Sequence, residues 1–389
     1  MKIGILTLHD SVNYGALAQA YALRSRLSAL GHSAVVVDRR RDPGGRDLRT
    51  PPRSRATCRA FGIFRVDAHN GERESSVRVE RSRAFLKRRV GLTPYNFFEW
   101  SDAPESLGLD AVVVGSDQVW NANSLDPSFY LLRGAPRQLP AVAYAASIGM
   151  TELPADRLDD YRAGFARLSA IGVRERSAAR LVAGLGFDAQ CVADPVLLAG
   201  KEPWRGMVDG AGGKGGRVFA YFLAEEFPGI MGELGRFASS RGTRVDFFVD
   251  WFTLGRARGW REARRNAALL RGWREAGLDL RVDAGPEEFA RAIAASDAVV
   301  SNSYHALVFA LVFGKEARIV LPTHPVRRAM NSRLEELAED FVDGPAVHPS
   351  LRSALASLSA GERCAIRGDR LGEYVARSRE WLSDALRRI

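Results

Sequence analysis

The residues with the clearest chemical potential lie in Val300-Ser-Asn-Ser-Tyr-His-Ala-Leu-Val-Phe-Ala-Leu-Val-Phe-Gly-Lys315, where one of only six histidines separates a polar tripeptide from a nearly unbroken apolar run. Asp297-Ala-Val-Val300 has the composition of a buried strand, Ser301-Asn302-Ser303 that of a turn, and Tyr304 onward that of a helix ending at Gly314. His305 is therefore expected in the first turn of a helix at the carboxyl end of a parallel strand. Free backbone N–H groups and the positive end of the helix dipole favour an anion there. Ser301, Asn302 or Ser303 is expected to cap the helix, and these three, with Tyr304 and Lys315, are candidate substrate-binding residues. A helix start disfavours the imidazolium and a docked dianion restores it, so His305 is expected to carry its extra proton, and to donate it, only when an anionic substrate is present. The plainer alternative is a histidine that satisfies a buried carbonyl.

Arg174 is the second candidate. In Ile171-Gly-Val-Arg-Glu-Arg-Ser177 the strand ends at Val173 and Ser177 can cap the next helix, which places Arg174 at another strand's carboxyl end, aimed at a substrate anion. The competing reading is a surface network with Glu175 or Arg176. Three further turns follow strands and share that rim: Ser11-Val-Asn-Tyr-Gly15, Gly115-Ser-Asp-Gln-Val-Trp120 and Ala146-Ser-Ile-Gly149. Asn13, Tyr14, Gly15, Ser116, Asp117, Gln118 and Ser147 are the candidates they offer for binding hydroxyls or phosphate. Asn, Asp, Ser and Gly are also ordinary turn residues.

These groups need a scaffold that brings several strand ends together. The chain has 389 residues, long enough for two domains, with 46% hydrophobic and 26% charged residues as in a water-soluble globular protein. Apolar runs at Lys2–Leu8, Ser33–Asp38, Asp110–Val114, Ala141–Ala146, Ala170–Val173 and Gln190–Val192 alternate with helical or loop sequence. The pattern predicts an α/β domain with a largely parallel sheet over 1–200. A second α/β domain is expected over 201–368, with strands at Val218–Leu223, Val245–Val249, Asp279–Val282, Ala298–Val300 and Ile319–Leu321 and a helix at Pro286–Ala295. The last segment, 369–389, has helical spacing and is expected to pack back across both domains. Two such domains facing a cleft suit group transfer between a donor and an acceptor.

The formal charge of +10 comes almost entirely from arginine, which fits anionic small molecules, lipid headgroups or nucleic acid, or merely a GC-rich genome. A segment near 39–83 breaks the α/β rhythm and reads as an Arg-rich, partly mobile insertion. Its arginines offer a peripheral contact to an anionic membrane, against the plainer reading of a solvated loop. Trp251, Trp260 and Trp273 interleave with arginines between 256 and 274, which suits an amphipathic helix better than a nucleic-acid surface. The glycine-rich 209–216 lacks a Walker ending and precedes a strand, so it reads as a linker, and the first strand lacks the Gly-x-Gly-x-x-Gly of a dinucleotide site. Cys58, Cys191 and Cys364 have neither disulfide nor zinc spacing. No export signal or membrane span is read, so a cytoplasmic protein is expected, with neither metal nor organic cofactor.

Taken in order, KIGILTLHDSVNYGALAQAYAL, VVVGSDQVWN, YAASIG, VRERSA, ADPVLL and VVSNSYHALVFALVFGK resemble the polysaccharide pyruvyl transferase family over most of the chain. The resemblance implies a fold similar to the GT-B glycosyltransferases and transfer of an enolpyruvyl unit from phosphoenolpyruvate to hydroxyls of a saccharide or glycoside, lipid-linked or free, to form a cyclic ketal. It implies His305 as general acid and Arg174 as donor clamp, with the first domain on the acceptor side and the second on the donor side. Well-studied members carry an arginine two residues before this histidine, where this chain has Ser303; Lys315, Arg318, Arg327 and Arg328 stand as replacements. A sugar-nucleotide glycosyltransferase on the same fold, or a relative tailoring a small molecule other than a polysaccharide, remains open. An RNA-binding module is disfavoured, and a homo-oligomer is compatible with the sequence.

Overall fold

The computed structural model describes residues 1–9, 12–39, 77–97, 99–104, 107–210, 215–223, 227–249, 277–322 and 331–389, with isolated residues between 264 and 275. The sequence expectations for 40–76, for 211–214 of the glycine-rich run, and for Trp251, Trp260 and Trp273 with the neighbouring arginines other than Arg264 and Arg271 fall outside the described residues.

Two parallel sheets organise the chain. The first comprises β1 (Lys2–Leu6), β2 (Ser33–Arg39), β3 (Leu92–Phe97), β4 (Ala111–Val114), β5 (Ala141–Ala146), β6 (Ile171–Val173) and β7 (Gln190–Cys191), in the order β3-β2-β1-β4-β5-β6-β7. The second comprises β8 (Arg217–Tyr221), β9 (Arg244–Phe248), β10 (Asp279–Arg281), β11 (Ala298–Ser301), β12 (Glu316–Val320) and, after the short β13 (Val342–Asp343), β14 (Val347–His348). Its order is β10-β9-β8-β11-β12-β14, and β13 pairs antiparallel with β15 (Ala365–Ile366). Every residue of β4 and β5 is buried, as expected for strands covered on both faces by crossover helices.

The helices that matter for the site are α1 (Tyr14–Ala29), α2 (Arg176–Gly184), α3 (Pro195–Ala199), α4 (Pro286–Ala295), α5 (Tyr304–Phe313), α6 (Asn331–Phe341) and α7 (Gly368–Leu386). Each sheet reverses its strand order once, between β1 and β4 in the first and between β8 and β11 in the second. In open α/β sheets ligands bind at the carboxyl ends of the strands flanking that reversal. The loops after β1, β4 and β11, singled out above for their polar residues, are the ones at these two points.

One apolar core runs through the seam between the halves. Tyr14 at the start of α1 stacks on Phe289 of α4, centroids 4.5 Å apart, and meets Tyr221 and Phe248 edge-on. Trp204 bridges Tyr21 of α1 and Phe309 of α5. The whole of α5 down to Val312 is buried, which accounts for a helix apolar on every side: it is packed between domains and has no solvent face to make polar.

Residues 77–85 are helical, so the C-terminal end of the segment read as a mobile insertion is instead part of the packed structure. Arg78 is buried there, lies 4.2 Å from the Tyr14 ring, and donates to the carbonyls of Val249 in one half and Val12 in the other. Strand β3 was not foreseen, because Thr93, Pro94 and Asn96 break its apolar pattern; it is tolerated as the edge strand of the sheet. No described helix is long and apolar enough to cross a membrane.

Helix α7 lies against the first sheet. Ser378 Oγ accepts from Ala193 N, Arg379 donates to the carbonyl of Leu198, and the indole of Trp381 rests on Gly172 of β6. A Cβ at Gly172 would lie 2.7 Å from the Trp381 ring. Gly172→Ala must therefore push α7 off the sheet, an overpacking that costs about 1–3 kcal/mol. Calorimetric melting is expected to show a lowered transition temperature.

Candidate active site

His305 enters on the first turn of α5, one residue past the helix start, where the Tyr221 carbonyl and Ser301 fix the preceding turn. Ser301 Oγ donates to that carbonyl and accepts from Ser303 N at 3.0 Å. Asn302 closes a two-way clamp on the loop after β8, its Oδ1 accepting from Leu223 N at 2.7 Å and its Nδ2 donating to Leu223 O at 3.2 Å. Ser303 occupies the cap position, but its side chain makes no capping bond. The polar tripeptide thus holds the backbone, and no side chain in it caps α5 as expected.

The imidazole crosses to the other half of the molecule. It packs on Gly15 at the start of α1 so closely that a Cβ there would lie 2.1 Å from Nδ1. Gly15 is therefore the residue that makes room for the ring. Asn13 caps α1, its Oδ1 accepting from Gly15 N and Ala16 N at 2.9 and 3.2 Å, and Tyr14 belongs to the aromatic seam described above. Tyr14 and Gly15 build the contact between the domains, and Asn13 holds the start of the helix that carries them.

On its other edge the ring meets Asp194, which caps α3 through an Oδ1 bond from Val196 N at 2.9 Å. His305 Nε2 lies 3.6 Å from Asp194 Oδ2, too long for a hydrogen bond but close enough for strong Coulomb attraction. The same oxygen accepts from Arg174 Nη1 at 3.3 Å. Burial alone would raise the Asp194 carboxyl, yet His305 and Arg174 more than offset it and hold it below the ordinary carboxylate range. Asp194 therefore brings a carboxylate beside the ring from the first half of the chain, a partner that nothing in the position of His305 along the sequence reveals.

Arg174 points inward, its side chain 1% exposed, which settles the choice between cleft and surface network. The network belongs to Arg176 instead, which pairs with Glu336, Glu339 and Asp340 of α6. Arg174 stacks 4.5 Å from the Tyr304 ring and lies 3.6 Å from Asp117 and 3.8 Å from Glu175. Burial works against its charge; Tyr304, Asp117, Asp194 and Glu175 outweigh this and leave the guanidinium more basic than usual. Glu175 Oε1 in turn accepts from Ser147 Oγ, Ile148 N and Gly149 N at 2.8, 3.0 and 3.2 Å, so Ser147 is a support for Glu175. Burial raises the Tyr304 phenol well above its ordinary range and keeps it neutral.

Arg333 of α6 completes the group. Its guanidinium is 5.6 Å from the Tyr304 ring, and its Nη atoms lie 3.1 and 3.2 Å from the Gln118 side-chain amide, an arrangement that requires the amide oxygen to face them. Lys315 sits at the far end of α5, about 15 Å from His305 at 1.5 Å per residue, and does not join the cluster. Arg318 is buried elsewhere, donating to Ser357 Oγ and to the carbonyls of Ala317 and Glu362. Arg327 and Arg328 are outside the described residues.

Asp194, Glu175 and Arg333 are the members of the cluster that the sequence did not yield as site residues. Asp194 precedes a proline at the first helical position, a recognisable capping signal with no hint of a catalytic partner. Arg333 had a usable signal: with Leu337 and Phe341 it falls on the buried stripe of α6, a place where an arginine needs a reason.

Several buried atoms here have no hydrogen-bond partner among the described residues: Arg174 Nε and Nη2, Arg333 Nε, Ser116 Oγ, His305 Nε2 and the acceptor Glu175 Oε2. Folded proteins rarely leave such groups unpaired, and most of these are donors.

Two parallel α/β halves that face one another across the carboxyl ends of their strands define a GT-B-like fold. Among solved structures this chain is similar to the UDP-GlcNAc 2-epimerase from Neisseria meningitidis bound to UDP-GlcNAc, at 10% identity over 100% of both chains with a TM-score of 0.51. It is also similar to the S. aureus MnaA–UDP co-structure, at 10% identity over 92% of this chain and 87% of that one with a TM-score of 0.52. These likenesses define the fold and nothing finer. Comparison with curated proteins gives no match. The family model for polysaccharide pyruvyl transferase matches residues 13–324, and the chain belongs to that family. It is accordingly a transferase, with a role in polysaccharide pyruvylation.

Gly15→Ala tests the contact on which the histidine depends. The added methyl must displace the imidazole or part α1 from α5, and turnover is expected to fall about 100-fold, since small misplacements of a reacting group cost that much. The steady-state rate of the purified variant checks it; wild-type turnover would show that the ring need not rest on α1.

Proposed function

We propose that the protein transfers the enolpyruvyl group of phosphoenolpyruvate to two hydroxyls of a saccharide, forming a pyruvate ketal. The reading rests above all on the unpaired donors of Arg174, Arg333, Ser116 and His305 gathered in one buried place, which suit a small ligand rich in anionic oxygen. Family membership supplies the direction of the chemistry.

Net charge does not drive binding. Arg174 faces three carboxylates, Asp117, Glu175 and Asp194, while Arg333 has none within ion-pairing distance among the described residues, so attraction comes from directed hydrogen bonds in a low-dielectric setting, where they are strongest. Arg174 holds the donor's carboxylate or phosphate. His305, 3.6 Å from Asp194, acts as the acid and gives a proton to the methylene carbon, which becomes the methyl group, and carbon 2 takes on oxocarbenium character. One saccharide hydroxyl adds to carbon 2 and returns its proton to His305. The carbon–oxygen bond to phosphate then breaks, a second hydroxyl closes the ring, and its proton leaves with the phosphate. Phosphoenolpyruvate and a diol thus become a ketal and inorganic phosphate. The general acid step is worth about 10² to 10⁴ in rate.

Phosphate release from phosphoenolpyruvate, followed with a panel of saccharides and the product's mass gain, tests the reading. His305→Ala is expected to abolish release while leaving the melting temperature within a few degrees of wild type. Stabilisation by UDP-sugars with none by phosphoenolpyruvate would replace this reading with a sugar-nucleotide glycosyltransferase, and full activity of His305→Ala would remove the acid role.

A further inference from the structure

Arg333 is a buried charge with few partners among the described residues. It is 8% exposed, and among the described residues no carboxylate lies within ion-pairing distance of it; its contacts there are a neutral amide and the face of a phenol. Its Nε has no hydrogen-bond partner. A second guanidinium, Arg174, shares the same Tyr304 ring, and burial together with the Arg174 charge makes Arg333 less basic than usual. Arg174, by contrast, has Asp117, Glu175 and Asp194 around it. An unpaired buried guanidinium next to another of like sign is costly, and a single counter-ion removes both the desolvation penalty and the repulsion.

The surroundings hold Arg333 in this position. Helix α6 is fastened to the first half by Arg176, whose backbone N–H and guanidinium reach Glu336, Glu339 and Asp340. The same short segment, Arg174-Glu175-Arg176, therefore points one arginine into the cluster and uses the next but one to anchor the helix that brings Arg333 alongside it. Neither Lys315 nor Arg318 reaches the cluster, which leaves Arg333 as the described cation able to stand where Ser303 supplies none.

We infer that Arg333 is a second anion-binding residue of this site, closing with Arg174 on a ligand that carries two separate anionic groups, one guanidinium to each. The inference rests on the reading of the site as a phosphoenolpyruvate site, whose donor carries both a carboxylate and a phosphate, and deepens it.

Calorimetric titration of the full-length protein with phosphoenolpyruvate, inorganic phosphate and UDP tests this, using Arg333→Gln and, in case that variant is poorly folded, Arg333→Lys. Wild type is expected to bind phosphoenolpyruvate more tightly than phosphate. Arg333→Gln should weaken phosphoenolpyruvate at least 30-fold and phosphate much less, since only the two-ended ligand needs both arginines. Arg333→Lys, which keeps charge and stem but lacks the planar fork, should lose about 10-fold. Unchanged phosphoenolpyruvate affinity in either variant would overturn the inference while leaving the proposed reaction in place. Should wild type bind UDP and not phosphoenolpyruvate, the proposed reaction falls; loss of UDP affinity in Arg333→Gln would then preserve the two-anion clamp, and unchanged affinity would overturn it too.

Discussion

Asp194 is a carboxylate buried completely between the two halves of the molecule, facing a guanidinium from the first and an imidazole from the second. Burying such a charge is tolerable only if partners replace the lost water, which Arg174, His305 and the backbone N–H of Val196 do together. The geometry of the site follows. Arg174 must lie along the end of β6 to reach Asp194, α5 must meet α1 closely enough for the ring to rest on Gly15, and α3 must start where its cap residue can see both.

The wider architecture serves the same contact. Both sheets reverse strand order at the point where the halves face each other, so the polar loops after β1, β4 and β11 converge without long excursions. Aromatic packing through Tyr14, Phe289, Trp204 and Phe309 makes the seam a continuous core, and α7 ties the end of the chain back to the first sheet. A hinge that opened widely would break this core, so substrate entry is expected to be a local event near the strand ends. The fold itself is shared with proteins whose structures hold UDP-GlcNAc or UDP.

Much of this was legible in the residues. Apolar runs and turn chemistry place β1, β2 and β4 to β11 within about two residues, whereas β12 begins three residues before the run read there and β3, β13, β14 and β15 were not foreseen; Pro286–Ala295 coincides with the helix read there. His305 and Arg174 were legible because each follows a strand whose end is marked by its composition. The partners were not, because a contact such as His305 with Gly15 or Asp194 is fixed by how two halves dock, and periodicity within one element carries no information about that. Lys315 illustrates the reverse error: adjacent to the motif in sequence, it is carried a full helix length away. Ser147 and Asn302, sized for a ligand, turned out to be spoken for by Glu175 and Leu223.

The most direct test of the central contact is Asp194→Asn, which keeps the shape of the side chain and removes its charge. With the saccharide that supports phosphate release in wild type, the account predicts a loss of about 10² to 10⁴ in kcat with little change in the Michaelis constant for phosphoenolpyruvate. A variant that turns over at the wild-type rate would contradict it, because the imidazole would then be shown to work without its carboxylate.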